Sequence, residues 1–211
     1  TLFLFCADNG ACPFERTRRP DLKPWDPKSY WTYDASWAHA GNTPFRLYKQ
    51  NQHEGGISSP LIAHWPKGIN GNTITHQPGH IIDIMATVME LGEAGYPETY
   101  AGKKIVPLEG KSLAPILRGE TREPHEYLFW RKWEQNAMAV RHQDKKIVAA
   151  KQWEKNGCEL YSLKEDIEEA NNIILKESLY SNKLIKQWEN WNAQMKDRVF
   201  PTLGNDDWWE R

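Results

Sequence analysis

Cysteine is scarce: Cys6, Cys12 and Cys158 are the only three in 211 residues. Their odd number and wide spacing build no disulfide framework and no paired-cysteine metal site, and they leave the redox compartment open. No apolar run approaches the ~20 residues needed to span a bilayer. Neither sign of charge is in excess, since 27 Lys+Arg face 28 Asp+Glu for a net charge of -1. Such a balance gives no reason to expect nucleic acid or an anionic membrane as a partner. Internal repeats and low-complexity tracts are also missing. What is plentiful is aromatic: 12% of residues, including 11 tryptophans. Bulky apolar anchors in a polar chain indicate a folded protein rather than a disordered one. The length suffices for one sizeable core or somewhat more. Thr1-Leu2-Phe3-Leu4-Phe5 is neither a signal peptide nor a polar lead-in. It reads as a buried strand that begins at once, as expected of a chain cut from something longer.

Two regions are expected. In residues 1–122, short apolar runs alternate with helical patterns and long polar loops, the pattern of an α/β domain. Leu2 to Phe5 is a continuous apolar run, predicting a strand covered on both faces. Residues 13–43 are rich in Pro, Trp, Tyr, Arg and Asp without a period, which predicts a long loop. There, Trp25, Trp31 and Trp37 are expected to anchor the loop in a small local core, with stacking on a sugar or aryl group as the alternative. Pro60 and Pro66 fence a strand at 61–65. Ile81, Ile84, Met85, Val88 and Leu91 predict one helix, with Gly92 as its stop, and Ser112 to Gly119 a short capped one. In residues 123–211, strands are expected at 127–130, 137–141, 146–150 and 158–163, with a hairpin turn at His142-Gln143-Asp144-Lys145. Leu184, Trp188, Trp191 and Met195 fall on one helix face. This region reads as a small antiparallel sheet with a C-terminal helix.

Two stretches could carry chemistry. Asp8-Asn9-Gly10 directly follows the opening strand, where ligands gather in an open α/β sheet. A carboxylate beside an amide carbonyl gives two hard oxygen donors suited to calcium or magnesium. The competing reading is a hairpin turn, because Asn-Gly is its strongest signal. Further on, a helix over 43–53 would place Arg46, Lys49 and His53 on one face, where two cations and a titratable ring could hold an anion. A solvated basic face with a glycine stop at Gly55-Gly56 is the alternative.

The order of these motifs resembles the type I sulfatases, of the arylsulfatase-like branch of the alkaline-phosphatase superfamily. The resemblance rests on Asp8-Asn9-Gly10, on Lys49 followed by Glu54-Gly55-Gly56-Ile57 and Pro60, and on Trp65-Pro66. Upstream, Trp37-Ala38 and Asn42-Thr43-Pro44-Phe45-Arg46 agree. Downstream, Asp83 with Thr87, Leu91 and Gly92, then Gly110 to Gly119, agree as well. Ala139-Val140-Arg141 with Lys146, then Glu159-Leu160-Tyr161, Asp166, Glu169 and Asn172, resemble the family's C-terminal subdomain. The resemblance runs from residue 1 to about residue 196.

It implies the C-terminal part of an alkaline-phosphatase-like sheet, followed by a small antiparallel sheet and a C-terminal helix. It implies calcium as the cofactor, with Asp8 and Asn9 among its ligands. Lys49 is implied as the lysine that contacts the substrate sulfate, with Arg46 and His53 as further candidates for touching substrate. The substrate would be a sulfate ester, either a small molecule or a sulfated glycan, in a periplasmic, secreted or lysosomal setting. The family's nucleophile is a formylglycine made within a Cys/Ser-x-Pro/Ala-x-Arg motif. No such motif occurs in the 211 residues; Cys12-Pro13-Phe14-Glu15-Arg16 places its proline one position early. The formylglycine is therefore expected upstream, and the chain alone is expected to be inactive. The competing functions are a phosphoester or phosphonate hydrolase of the same superfamily and a non-catalytic module that binds sulfated glycans.

Overall fold

Strand β1 (Phe3–Cys6) pairs antiparallel with β2 (Leu61–His64), in the register Phe3↔His64 to Cys6↔Leu61. The structure, a computed structural model, describes residues 1–69, 71–132, 137–149 and 157–195. The Trp208-Trp209 pair lies outside the described residues. The pairing excludes the hairpin reading of Asn9-Gly10, because the partner of β1 arrives about fifty residues later in the chain. The expected cover on both faces of β1 is not found. Phe3 and Phe5 are 62% and 71% exposed, and Ile62 on β2 is exposed as well. Alternate side chains of a strand point to opposite faces, and the face that carries the two phenylalanines is largely exposed.

The 13–43 stretch contains helix α1 (Asp34–Asn42), where a loop is expected from the sequence. Asp34 Oδ1 accepts the N–H groups of Ser36 and Trp37 and so satisfies donors of its first turn. Trp25, Trp31 and Trp37 are exposed, so the small local core expected around them is absent. Trp31 donates its ring N–H to the Leu22 carbonyl at 3.0 Å. The short α2 (Glu54–Ile57) precedes β2.

Helix α3 (Asp83–Leu91) forms where the period predicts it, yet it turns the other way. Its buried residues are Asp83, Ala86 and Thr87, while Ile81, Met85 and Val88 are exposed. The polar pair wins because its atoms are all spoken for. Thr87 donates to the Asp83 carbonyl and accepts the Leu113 N–H. A two-residue turn at Ala101-Gly102, both with positive φ, joins β3 (Thr99–Tyr100) to β4 (Lys103–Lys104). Helix α4 (Ala114–Leu117) closes at Gly119, whose φ of 83° suits glycine.

The helix expected over residues 43–53 does not form. Pro44 disfavours helical geometry in the residue before it, and Thr43 accordingly takes ψ 133°. Leu47 and Gln50 then adopt φ of 63° and 76°, which no right-handed helix accommodates.

The remaining elements are β5 (Leu128–Lys132), β6 (Ala137–His142), β7 (Lys145–Ala149) and β8 (Glu159–Ser162), paired antiparallel in chain order. Gln143-Asp144 forms the β6–β7 turn, with Gln143 at φ 54°. Helix α5 (Ser178–Asn192) lays Leu184, Ile185 and Trp188 on Met138, Val140, Ile147 and Leu160. Each such fully buried apolar side chain contributes roughly 1.5–3 kcal/mol relative to exposure. Trp188 also donates its ring N–H to the Trp130 carbonyl at 3.1 Å. Cys158 is buried in this core, and burial, with Glu159 beside it, pushes its thiol up to about 11, out of the reactive range.

The chain divides into two compact units. One comprises residues 1–43, 47–50 and 55–126; the other comprises 44–46, 51–54 and the residues from Tyr127 onward.

Candidate functional site

In the first unit, the Asp8-Asn9-Gly10 turn at the end of β1 lies against the segment that carries Lys49. Gly10 N–H donates to the Gly56 carbonyl at 3.0 Å, and Lys49 N–H donates to the Ala11 carbonyl at 3.1 Å. Gly10 has to be glycine, since a Cβ there would stand 1.8 Å from the Gly55 carbonyl oxygen. Asn42 ties the three strands of this crossing together. Its Nδ2 donates to the carbonyls of Gly55 (2.7 Å) and Leu47 (3.1 Å), and its Oδ1 accepts the Ala11 N–H at 3.4 Å. Ser59 Oγ accepts the Ala7 N–H from the far side. Asp8 is exposed, Asn9 is half-buried and Lys49 is half-buried. Leu47 and Gln50, on either side of Tyr48-Lys49, occupy the left-handed region, which costs a residue with a side chain roughly 1–2 kcal/mol.

Asn42 is a hub that no expectation from the sequence names as such. The signal was present: one amide that supplies both donor and acceptor, two residues before a proline, is suited to such bridging.

Arg46 and His53 are placed in the second unit rather than beside Lys49 on a helix face. Arg46 Nη1 donates to the Tyr161 hydroxyl at 2.7 Å and the Glu169 carbonyl at 3.2 Å, and stands 3.5 Å from Glu159 Oε2. His53 is buried, with Nε2 3.0 Å from the same Glu159 oxygen. The bond from His53 lowers the Glu159 pKa, burial opposes it, and the Tyr161 hydroxyl and Arg46 add to the lowering.

Beneath them lies a buried ion triad. Lys146 on β7 is 0% exposed, and its Nζ stands 2.6 Å from Glu54 Oε1 and 2.8 Å from Glu169 Oε1. Glu169 Oε2 also accepts the Glu54 N–H at 2.7 Å. The Glu54-Gly55-Gly56 block thus begins with a structural carboxylate. A lysine within a strand of Ile and Val was the available hint, because a fully buried lysine requires an opposite charge.

A second buried centre sits in the first unit at Asp83. Its carboxylate accepts from Arg122 Nη2 (2.8 Å), the Lys111 N–H (2.9 Å) and the His80 N–H (2.9 Å), and lies 2.7 Å from His125 Nε2. Burial works to raise its pKa, but the Lys111 N–H, Arg122, the His80 N–H and His125 together lower it. A depressed folded-state value contributes stability that is present above the unfolded value of ~3.9 and is lost as pH falls through the folded one. The unfolding midpoint in urea is therefore expected to drop steeply below about pH 4, and Asp83→Asn is expected to remove most of that acid dependence while lowering stability at neutral pH. An unchanged acid slope in Asp83→Asn would assign the effect to other carboxylates.

Residues 45–197 match the family described as N-sulphoglucosamine sulphohydrolase, C-terminal. The chain is 33% identical over 145 residues to a sulfatase of Formosa agariphila, covering 63% of this chain and 26% of that protein. It is 28% identical over 212 residues to an uncharacterized sulfatase of Schizosaccharomyces pombe, covering 92% of this chain and 38% of that protein. It thus spans well under half the length of these relatives. In fold it is similar, with a TM-score of 0.63 at 22% identity, to a solved structure described under the metabolism of multiple glycosaminoglycans by Bacteroides thetaiotaomicron, over 92% of this chain and 39% of that one. The architecture is the C-terminal part of the alkaline-phosphatase-like sulfatase fold. The chain belongs to the N-sulphoglucosamine sulphohydrolase C-terminal family of sulfatases.

Proposed function

We propose that the complete protein hydrolyses sulfate esters with a formylglycine nucleophile and calcium, and that this chain contributes Asp8, Asn9 and Lys49 to the site. The reading is carried by the backbone pairing of the Asp8-Asn9-Gly10 turn with the Lys49 segment, Lys49 N–H to Ala11 and Gly10 N–H to Gly56. These two bonds set the main chain of residues 10–11 beside that of Lys49 and Gly56, which supports the reading. The donor set fits calcium in kind: one carboxylate and one amide oxygen, on a turn held close by a glycine that a Cβ would displace. Calcium takes six to eight oxygens. Among the described residues no group of three His, Cys, Asp or Glu is placed to hold a metal, so other parts of the protein complete the sphere. When bound, calcium supplies positive charge toward the sulfate oxygens. Lys49 supplies three N–H donors and a charge to the same oxyanion.

The substrate class we favour is a sulfated glycan. Exposed Trp25 and Trp31 share the loop region before α1 with Arg16 and Arg18, and Trp37 is exposed on α1, a combination that suits sugar faces and sulfate groups. No helix among the described residues is long and apolar enough to cross a membrane. A periplasmic, secreted or lysosomal setting remains the family's implication.

The test replaces Asp8 by alanine in the complete enzyme. The rise in melting temperature on adding calcium is expected to disappear, and hydrolysis of 4-nitrophenyl sulfate is expected to require far more calcium. Wild-type calcium dependence in both measurements would remove Asp8 from the metal site. The 211-residue chain alone, with two oxygen ligands and no formylglycine motif, is expected to turn over no aryl sulfate.

A further inference from the structure

Residues 12–41 of the first unit leave the Asp8-Asn9-Gly10 turn and return to it, because Asn42 Oδ1 accepts the Ala11 N–H at their base. Inside this stretch a second closure is built. The N–H groups of Arg18 and Arg19 both donate to the Ser29 carbonyl, at 3.2 and 3.1 Å. Arg16 N–H donates to Thr32 Oγ1 at 2.8 Å, and Thr32 N–H donates to Thr17 Oγ1 at 3.3 Å. These bonds set residues 16–19 beside residues 29–32 and leave 20–28 as a tip. The tip is folded by backbone bonds from Leu22 to Arg19, Asp26 to Lys23 and Ser29 to Asp26. Surface loops closed in this way are frequent carriers of function.

The aromatic side chains of this loop are displayed rather than packed. Trp25 in the tip is 81% exposed, and Tyr30 and Trp31 at the closure are exposed as well. Tyr30 has a φ of 48°, in the left-handed region that a bulky residue holds only where its surroundings over-determine it, and such strain gathers at ligand sites. The Arg18 guanidinium lies over the Tyr30 ring at 5.1 Å from its centroid, and that of Arg16 over Phe14 at 4.9 Å. An arginine on an aromatic ring joins a cation and an apolar face in one unit. Cations outnumber acids over residues 15–32. The acids are engaged within the loop: Asp21 pairs with Arg19, Asp26 accepts the Lys28 N–H, and Glu15 accepts from Thr17 and Thr32. A ligand that matches this surface carries apolar ring faces and anionic groups together.

We propose that loop 15–32 is a glycan platform: Trp25, Tyr30 and Trp31 take the C–H faces of sugar rings, while Arg16 and Arg18 pair with sulfate groups other than the one being hydrolysed. The occupant is a sulfated saccharide chain. This deepens the sulfated-glycan reading and rests on it for the chemistry of the occupant.

The experiment runs the complete enzyme through native gels that contain heparin, chondroitin sulfate or carrageenan, each beside its desulfated form, and retardation gives the Kd. At least one sulfated polymer is expected to retard the enzyme, with its desulfated form binding at least about tenfold more weakly. Trp25→Ala is expected to weaken binding roughly tenfold, the scale of a contact residue that matters, at an unchanged melting temperature. Arg18→Gln is expected to weaken it roughly three- to tenfold and to make it less sensitive to salt. Where Arg18→Gln lowers the melting temperature, Arg16→Gln takes its place. Retardation by none of the three polymers, or equal retardation of wild type and either variant, would overturn the platform, while turnover of 4-nitrophenyl sulfate by the wild type would keep the sulfatase reading in place. Retardation as expected with no turnover of any sulfate ester would instead overturn the sulfatase reading and leave the platform standing.

Discussion

Lys49→Ala in the complete enzyme is expected to lower kcat/KM for sulfate esters by ~10²–10³-fold, the usual cost of deleting one preorganised donor to a developing oxyanion. The expectation follows from how the lysine is held. Its N–H is bonded to Ala11, one residue beyond the Asp8-Asn9-Gly10 turn. An ammonium carried on a backbone held in this way adds charge beside the developing oxyanion, so its contribution should rise toward the transition state and appear mainly in kcat. Lys49→Arg should restore little, because a planar fork replaces a compact point charge and its stem differs in reach. A change confined to KM would mean that Lys49 binds ground state and transition state alike. Unchanged kinetics would take it out of the site.

Lys146→Met is expected to destabilise the second unit by about 3–5 kcal/mol, the range for breaking a buried pair by removing one partner. The ammonium is fully buried, and two carboxylates, Glu54 and Glu169, depend on it. Methionine matches its length but leaves two acids buried without a cation. They must then protonate, ionise at high cost or draw in water. Urea unfolding followed by tryptophan fluorescence would measure the loss, because Trp188 lies in the core that β7 helps to build. Adding Glu54→Gln to Lys146→Met is expected to recover part of it, since one stranded charge is then gone. A loss below about 1 kcal/mol would place the triad energetically with exposed ion pairs.

Where side chains alternate or recur with a clean period, the sequence was legible. The β6–β7 hairpin around Gln143-Asp144 and the Leu184–Trp188–Trp191 stripe of α5 both emerged as predicted. Period and packing agree there, because one face meets the apolar core directly. The α1 helix was invisible since Asp34–Asn42 offers alanines, histidine and glycine with no apolar stripe. The face of α3 was misread because periodicity weighs hydrophobicity alone. Asp83, with an arginine, a histidine and two backbone N–H groups converging on it, outcompeted Met85 and Val88 for the interior. At 43–53, Pro44 was in plain sight, yet the spacing of Arg46, Lys49 and His53 suggested a helix that the residue before a proline resists. At the candidate site, Asp8, Asn9 and Lys49 could be named from their motifs. The roles of Glu54, Lys146 and Glu169 could not, because Lys146 pairs with Glu54 across 92 residues of chain and no local pattern encodes such a distance.

The bare faces of β1, β2 and α3 have a practical side. Phe3, Phe5, Ile62, Met85 and Val88 shed little water when these 211 residues fold, so polar replacements there forfeit almost no burial energy. A screen for damaging variants that melts only this chain would score them as harmless. If longer versions of the protein seat other residues on those faces, the same replacements would be costly in them, and the two melting curves would disagree most at these five positions.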